Sequence, residues 1–249
     1  MHTSLTDKKY WTNSYGNTPF VKYELENDHF KLLFTYAGKD KINSVIEIGS
    51  FPGPFLAALG ECGFELNGID FHPKNEIELP DWLRSLGYTV GLFYSEDFLV
   101  FPFEKNFDLV YSLGFIEHFE DFDKIIRRHA SLVKDDKYLF ISAPNFKGAI
   151  QKWLHYFLDK ENLDKHYLPS MDPEVWAEVL RKEGFKVLFS GYYGQIGFWV
   201  DRNNKRSLLK SILATAIARL FWNIRKIYKV DSKHFSVFCG IVAVKEGTN

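Results

Sequence analysis

Cysteine and methionine are scarce: the 249 residues hold 2 of each. Cys62 and Cys239 stand far apart among apolar neighbours, with no C-x-x-C and no His/Cys cluster around them. That spacing argues against a disulfide framework and the usual structural zinc sites. It predicts buried free thiols in a reducing compartment. Net charge is also nearly absent. Lys and Arg total 31 against 32 for Asp and Glu, a formal charge of -1, so no overall positive field recruits nucleic acid. No uncharged apolar run is long enough to span a bilayer, and Met1–Lys9 lacks the apolar segment of a secretory signal. The expected setting is the cytoplasm.

Aromatic residues are plentiful, with 24 Phe and 13 Tyr among the 17% aromatic content. Together with 46% hydrophobic and 25% charged residues, this composition fits a soluble globular protein whose bulky side chains fill a sizeable core. The length suits one large α/β domain covering residues 1–249. Within it the sequence divides into an N-terminal segment (1–40), a core (41–200), a helical insertion (201–232) and a last strand (233–249).

The N-terminal aromatics Tyr10, Trp11 and Tyr15 read as a weakly ordered stretch. A helix is expected over Val21–Tyr36, with Val21, Leu25, Leu32, Leu33 and Tyr36 facing inward. Strands are expected at about 44–48, up to Asp70, and at 89–93, 107–112, 138–143, 185–192 and 236–245. Helices are expected from Pro54, over 80–87, over 122–132 and from Pro173 to Lys182. Residues 145–171 read as a long loop. Strands alternating with helices predict an α/β class with a mostly parallel sheet.

The insertion Arg202–Val230 has helical apolar spacing, and its charges are all basic: Arg202, Lys205, Arg206, Lys210, Arg219, Arg225, Lys226 and Lys229. Such a helix packs on its own domain, forms a homodimer seam, or lies on an anionic membrane and presents a lipid-linked acceptor.

The chemistry begins at Val45–Leu56, which reads as a buried strand, a glycine turn and a helix start. A second strand then ends in an acid, Asp70. This order grips a nucleotide-like cofactor at the edge of a parallel sheet, with free N–H groups at the helix start. The spacing of Gly49 and Gly53 does not match the dinucleotide pattern G-x-G-x-x-G. Glu47, two residues before Gly49, repels a pyrophosphate but suits an ammonium or sulfonium charge.

The run Glu47-Ile48-Gly49-Ser50-Phe51-Pro52-Gly53 resembles the first motif, E/D-x-G-x-G-x-G, of the class I S-adenosylmethionine-dependent methyltransferases, departing from it at Phe51. The resemblance covers roughly residues 40–192 and the final strand. It implies a doubly wound, mostly parallel seven-stranded sheet with an antiparallel last strand, and S-adenosylmethionine as cofactor. It also assigns roles by position. Glu47, Gly49, Ser50, Phe51 and Gly53 form the cofactor loop. Asp70 and Phe71 sit at the ribose, and Asp97 and Phe98 beside the adenine. Ser112, Leu113 and Gly114 open the segment Ser112–His118, which lines the methionine side and the substrate entrance, and Tyr10, Trp11 and Tyr15 belong to an N-terminal lid.

Methyl transfer from a sulfonium asks the protein mainly to align donor and acceptor and to exclude water. A hydroxyl acceptor also needs a base. His118 and His166 are the candidates, because histidine titrates at about pH 6.5 when unperturbed. The expected reaction is O-methylation of a small molecule. The Asp/Asn-Pro-Pro-Tyr motif of exocyclic-amine methylation is absent, and no clustered acids suggest a metal. Two alternatives remain: an NAD-type oxidoreductase, disfavoured by the glycine spacing and Glu47, and a non-catalytic cofactor-binding module, suggested by Phe51.

Overall fold

The computed structural model describes residue 5 and residues 8–16, 18–201 and 204–247. Arg202, counted above among the insertion's cations, lies outside them. Two helices come first, α1 (Lys8–Tyr15) and α2 (Asp28–Tyr36). They are followed by β1 (Ser44–Ile48), α3 (Pro54–Gly60), β2 (Glu65–Ile69), α4 (Glu78–Ser85) and β3 (Val90–Tyr94). Next come β4 (Phe107–Leu113), α5 (Phe122–Ser131), β5 (Val133–Pro144), α6 (Ala149–Leu158) and α7 (Lys160–Leu163). The chain ends with α8 (Pro173–Lys182), β6 (Phe185–Ile196), α9 (Leu208–Ile227) and β7 (Ser236–Lys245).

The strands form one 7-stranded sheet in the order β3-β2-β1-β4-β5-β7-β6. The pairs from β3 across to β5 are parallel, whereas β7 runs antiparallel to both β5 and β6. This is the expected doubly wound sheet with its helical insertion, α9, just before the last strand. Its central strands are buried on both faces, so all of β1, Glu47 included, and β4 from Phe107 to Ser112 lie out of water. Alternate residues feed opposite layers. Val45, Leu109 and Phe140 pack with α2, α3 and α4 through Phe30, Leu56 and Leu83. Ile46, Val110 and Ile141 pack with α5 and α8 through Ile125 and Trp176. The strand order reverses between β1 and β4, so the crevice outside their carboxyl ends is where this topology binds ligands.

Four expectations need correction. The N-terminal aromatics belong to a helix, α1. The next helix begins at Asp28 instead of Val21, because the Asn27 side chain accepts a hydrogen bond from the Phe30 N–H at 3.0 Å and caps it there. Val21 and Tyr36 are exposed, and Phe30 joins Leu33 as a fully buried anchor. The stretch 145–171 contains α6 and α7. Finally, Cys239 is buried but Cys62 is only half-buried; both are free thiols.

The insertion packs thinly. Ala214 is the buried residue of α9, where it joins Leu158 and Phe198 in a small satellite cluster. Polar ties hold the rest. Arg225 pairs with Asp28 at 2.6 Å. Asp159, at the end of α6, accepts from the Asp201 backbone N–H at 2.8 Å, Arg206 at 2.9 Å and Asn204 at 3.2 Å.

Candidate active site

The β1–α3 turn sets the floor of the crevice. Gly49 has φ +77°, and its N–H donates to the Ile69 carbonyl at 2.9 Å. A Cβ added there would lie 3.1 Å from the Phe115 ring. Gly53 caps α3 at φ +84°, where an added Cβ would meet Leu79 at 2.3 Å. Left-handed backbone and close approach both call for glycine at this position. The Ser50 hydroxyl donates to Asn75 at 2.7 Å. The Phe51 ring stacks on His72 at 3.9 Å with 3° between planes. The residue that departs from the motif is therefore part of the wall, and it leaves the crevice open.

Two carboxylates face this floor. Glu47 is buried; its side chain accepts from the Tyr111 hydroxyl at 3.0 Å and takes a further hydrogen bond from the Leu56 backbone at the start of α3. Burial pushes its pKa well above the usual range, the nearby Asp70 adds to this, and the Tyr111 hydrogen bond opposes it. Asp70 accepts from the His72 N–H at 2.7 Å and the Phe51 N–H at 3.3 Å. Burial still raises it to about 6. At the far end, Asp97 accepts from the Leu99 N–H at 2.9 Å, and Phe98 is buried beside it.

Glu47, Gly49, Ser50, Phe51, Asp70, Phe71, Asp97, Phe98, Leu113 and Gly114 all line one cavity of about 410 Å³, closed on one side by Trp11 and Tyr15. A second cavity, of about 550 Å³, contains Tyr10, Glu117, Lys165, His166 and Trp199. The two share a wall made by Trp11, Tyr15, Tyr23, Phe55, Leu113, Gly114 and His118.

That wall carries the histidines. The Trp11 ring meets the His118 ring edge-on at 4.8 Å, and His166 lies 4.8 Å from His118 between ring centres. His118 Nδ1 donates to the Lys165 carbonyl at 3.0 Å, and His166 Nδ1 donates to the Asn162 carbonyl at 2.6 Å. A carbonyl only accepts, so each Nδ1 carries the proton and each Nε2 keeps its lone pair. Burial lowers His118 to about 3, helped by His166 and opposed by the hydrogen bond to the Lys165 carbonyl, and burial lowers His166 to about 4. Both imidazoles are neutral at pH 7. Glu117 is 1% exposed, and burial pushes it up to about 8. Its Oε2 has no hydrogen-bond partner among the described residues.

The fold thus gathers nearly all the residues singled out in the sequence. Gly53 stands behind the first cavity as the helix cap, and Tyr10 lines only the second. Ser112 lines neither; its hydroxyl is sealed inside the sheet with no hydrogen-bond partner among the described residues. Phe115 and Glu117 enter the expected site only as members of the run Ser112–His118, and Phe55 and Lys165 are absent from it. Glu117 had a legible signal, as an acid between apolar Ile116 and His118 just after a core strand. The others are set by packing between elements distant in sequence.

Comparison with known proteins places this geometry. A family model described as a methyltransferase domain matches residues 21–189. No curated protein matches the chain by sequence. Among solved structures, an S-adenosylmethionine-dependent methyltransferase from Archaeoglobus fulgidus superposes with a TM-score of 0.54 at 20% identity, covering 86% of this chain and 90% of its own. Phosphoethanolamine N-methyltransferase 2 from Haemonchus contortus, in complex with S-adenosylmethionine, gives 0.59 at 17% identity over 98% of this chain and 58% of its own. Magnesium protoporphyrin IX methyltransferase from Synechocystis, with bound S-adenosylhomocysteine, gives 0.52 at 16% over 87% and 80%. At such identities the structural likeness is one of fold.

Proposed function

This chain belongs to the family of S-adenosylmethionine-dependent methyltransferase domains, and we propose that its acceptor is a small molecule methylated at oxygen. Membership displaces the nicotinamide alternative. One observation carries the proposal: the motif-lined cavity and the second cavity meet at Trp11, Leu113, Gly114 and His118. Donor and acceptor then meet at the boundary the two cavities share, as direct in-line displacement requires.

The first cavity fits the cofactor's chemistry. Glu47 offers a carboxylate to its cationic methionine end. Asp70 keeps lone pairs for the ribose hydroxyls beyond those taken by backbone N–H groups. Phe98 and Asp97 offer an apolar face and an acceptor to the base. When bound, the cofactor supplies a methyl carbon that bonds to the acceptor oxygen as the carbon–sulfur pair stays on sulfur. Trp11 and Tyr15 exclude water from the junction. An acceptor hydroxyl there donates its hydrogen bond to the Nε2 lone pair of His118 or His166, which turns its oxygen toward the methyl carbon.

Calorimetry with S-adenosylhomocysteine, followed by transfer of labelled methyl to panels of small hydroxyl and amine compounds, tests the reading. One binding site and label on hydroxyl compounds is expected. Absence of binding overturns the cofactor assignment, and label confined to amines overturns the oxygen assignment.

A second observation concerns the partner of the insertion. No helix among the described residues is long and apolar enough to cross a membrane. Yet α9 exposes Leu208, Leu209, Ile212 and Trp222, and its neighbour α6 exposes Trp153, Tyr156 and Phe157. The charges of α9 are all basic. Apolar residues and cations on one helix suit the surface of an anionic bilayer, which would bring a lipid-borne acceptor near the second cavity. Co-sedimentation with phosphatidylglycerol vesicles should exceed that with phosphatidylcholine, and should fall for Leu209→Asp and Trp153→Asp. Equal sedimentation, or a dimer that the same substitutions dissociate, overturns this reading.

A further inference from the structure

We propose that Glu117, His118 and His166 form a site for one divalent transition-metal ion, such as Zn²⁺, Mn²⁺ or Fe²⁺, in the wall of the second cavity. No clustered motif along the chain signals a metal, because the ligands come from two separate segments. The fold joins those segments: the Tyr167 N–H donates to the Glu117 carbonyl at 2.7 Å. One ligand atom from each of the three side chains lies within 4.8 Å of the others, and His118 Nε2 is 4.0 Å from Glu117 Oε1. A tetrahedral ion with bonds of about 2.1 Å needs its ligand atoms about 3.4 Å apart, so modest side-chain swings close the set.

Three features favour an ion over a merely structural cluster. Both histidines spend Nδ1–H on backbone carbonyls. That fixes the tautomer with Nε2 free, the outer-shell arrangement of metal-ligating histidines. Glu117 is sealed from solvent, with an oxygen that has no partner among the described residues. A buried carboxylate oxygen without a donor is costly unless a cation or a proton meets it. Lys165, which lines the same cavity, does not serve, because its ammonium is directed to Asn204, Asp201 and Glu161. Two imidazoles and one carboxylate also make a donor set suited to transition metals, whereas Mg²⁺ prefers oxygen ligands and water.

Three protein ligands leave coordination positions open toward the cavity. The inference rests on the methyl-transfer reading and deepens it. An acceptor hydroxyl bound there becomes more acidic and loses its proton to solvent; its oxygen then forms the bond to the methyl carbon while the carbon–sulfur pair stays on sulfur. His118 and His166 are then ligands, and a histidine base is not needed.

The test uses the full chain after treatment with a chelator. Zn²⁺ is titrated by calorimetry, and Co²⁺ by its visible absorption bands, into wild type, Glu117→Gln and His166→Asn. The expected result is one ion per chain in wild type and at least about tenfold weaker binding in each variant. Zn²⁺ should raise the melting temperature of wild type but not of Glu117→Gln, which decides the matter if His166→Asn fails to fold. No stoichiometric uptake, or equal uptake by wild type and Glu117→Gln, overturns the site. S-adenosylhomocysteine is titrated into the same preparations. Its binding without ion uptake sinks the ion site alone, whereas ion uptake without its binding upholds the site and sinks the methyl-transfer reading.

Discussion

The Tyr111 hydroxyl donates to the Glu47 carboxylate across 3.0 Å, with both side chains buried at the switch point of the sheet. This bond is the main force opposing the upward shift that burial imposes on Glu47. Tyr111→Phe removes it and leaves a buried oxygen with less support. Urea unfolding should show a loss of about 1–2 kcal/mol. Calorimetry should also show weaker S-adenosylhomocysteine binding, because a more readily protonated Glu47 attracts an ammonium less. Unchanged affinity would place the cofactor's cationic end elsewhere.

Asp70 supplies a pH test. Its pKa rises from 3.8 to about 6 on folding, caused by burial and only partly offset by the His72 and Phe51 N–H groups. The folded state therefore holds this proton more tightly than the unfolded one. The resulting stabilisation is complete below pH 3.8 and is lost as pH rises through about 6, a difference of about 2–3 kcal/mol. Ligand binding runs the other way, since ribose hydroxyls donate best to the ionised form. S-adenosylhomocysteine affinity should fall below pH 6, by at most about tenfold per unit. Asp70→Asn should weaken binding at neutral pH and flatten that profile.

Gly53 joins a left-handed φ of +84° to a 2.3 Å approach between an added Cβ and Leu79. Gly53→Ala should cost about 2–4 kcal/mol, from backbone strain plus overpacking. Thermal unfolding of the single variants and of the Gly53→Ala/Leu79→Ala pair checks this. The pair should be less destabilised than the sum of its members, because truncating Leu79 relieves the clash.

Asp159 anchors the insertion. Burial pushes its pKa up, but His155 at 3.8 Å, the Asp201 N–H, Asn204 and Arg206 outweigh it and hold the carboxyl at about 2. The sign is opposite to that of Asp70: this stabilisation exists above pH 3.8 and is lost as pH falls through about 2. Asp159→Ala leaves Arg206 and Asn204 without this partner and should cost about 2–4 kcal/mol. Limited proteolysis should then cut before α9 sooner than in wild type. Identical cleavage would show that the satellite cluster around Ala214 holds the insertion instead.

Legibility followed locality. β1 and β7 appear at the boundaries read from the sequence, because a buried strand bounded by turn residues carries its own signal. The start of α2 was misplaced because Asn27, as a cap, outweighs apolar spacing that runs back to Val21. Helix α6 has apolar residues at helical spacing, Ile150, Trp153, Leu154, Phe157 and Leu158, but its buried positions include the polar Gln151 and His155, so pattern and burial disagree. Ile150, Trp153, Tyr156 and Phe157 face outward, whereas Leu158 and Leu163 are buried. His118 and His166 were read as free bases near neutrality. Burial, which a sequence does not display, makes them neutral imidazoles fixed by backbone carbonyls.

The order of apolar runs, glycines and acids along this chain determined an α/β fold with a mostly parallel sheet and a carboxylate-flanked turn, since strand burial, left-handed backbone and helix starts are properties of short segments. Only the tertiary structure decided that Glu117 and His118 stand beside His166, and that two cavities share one wall. Those relationships join segments far apart in sequence, and their energetics depend on excluding water, which packing alone achieves.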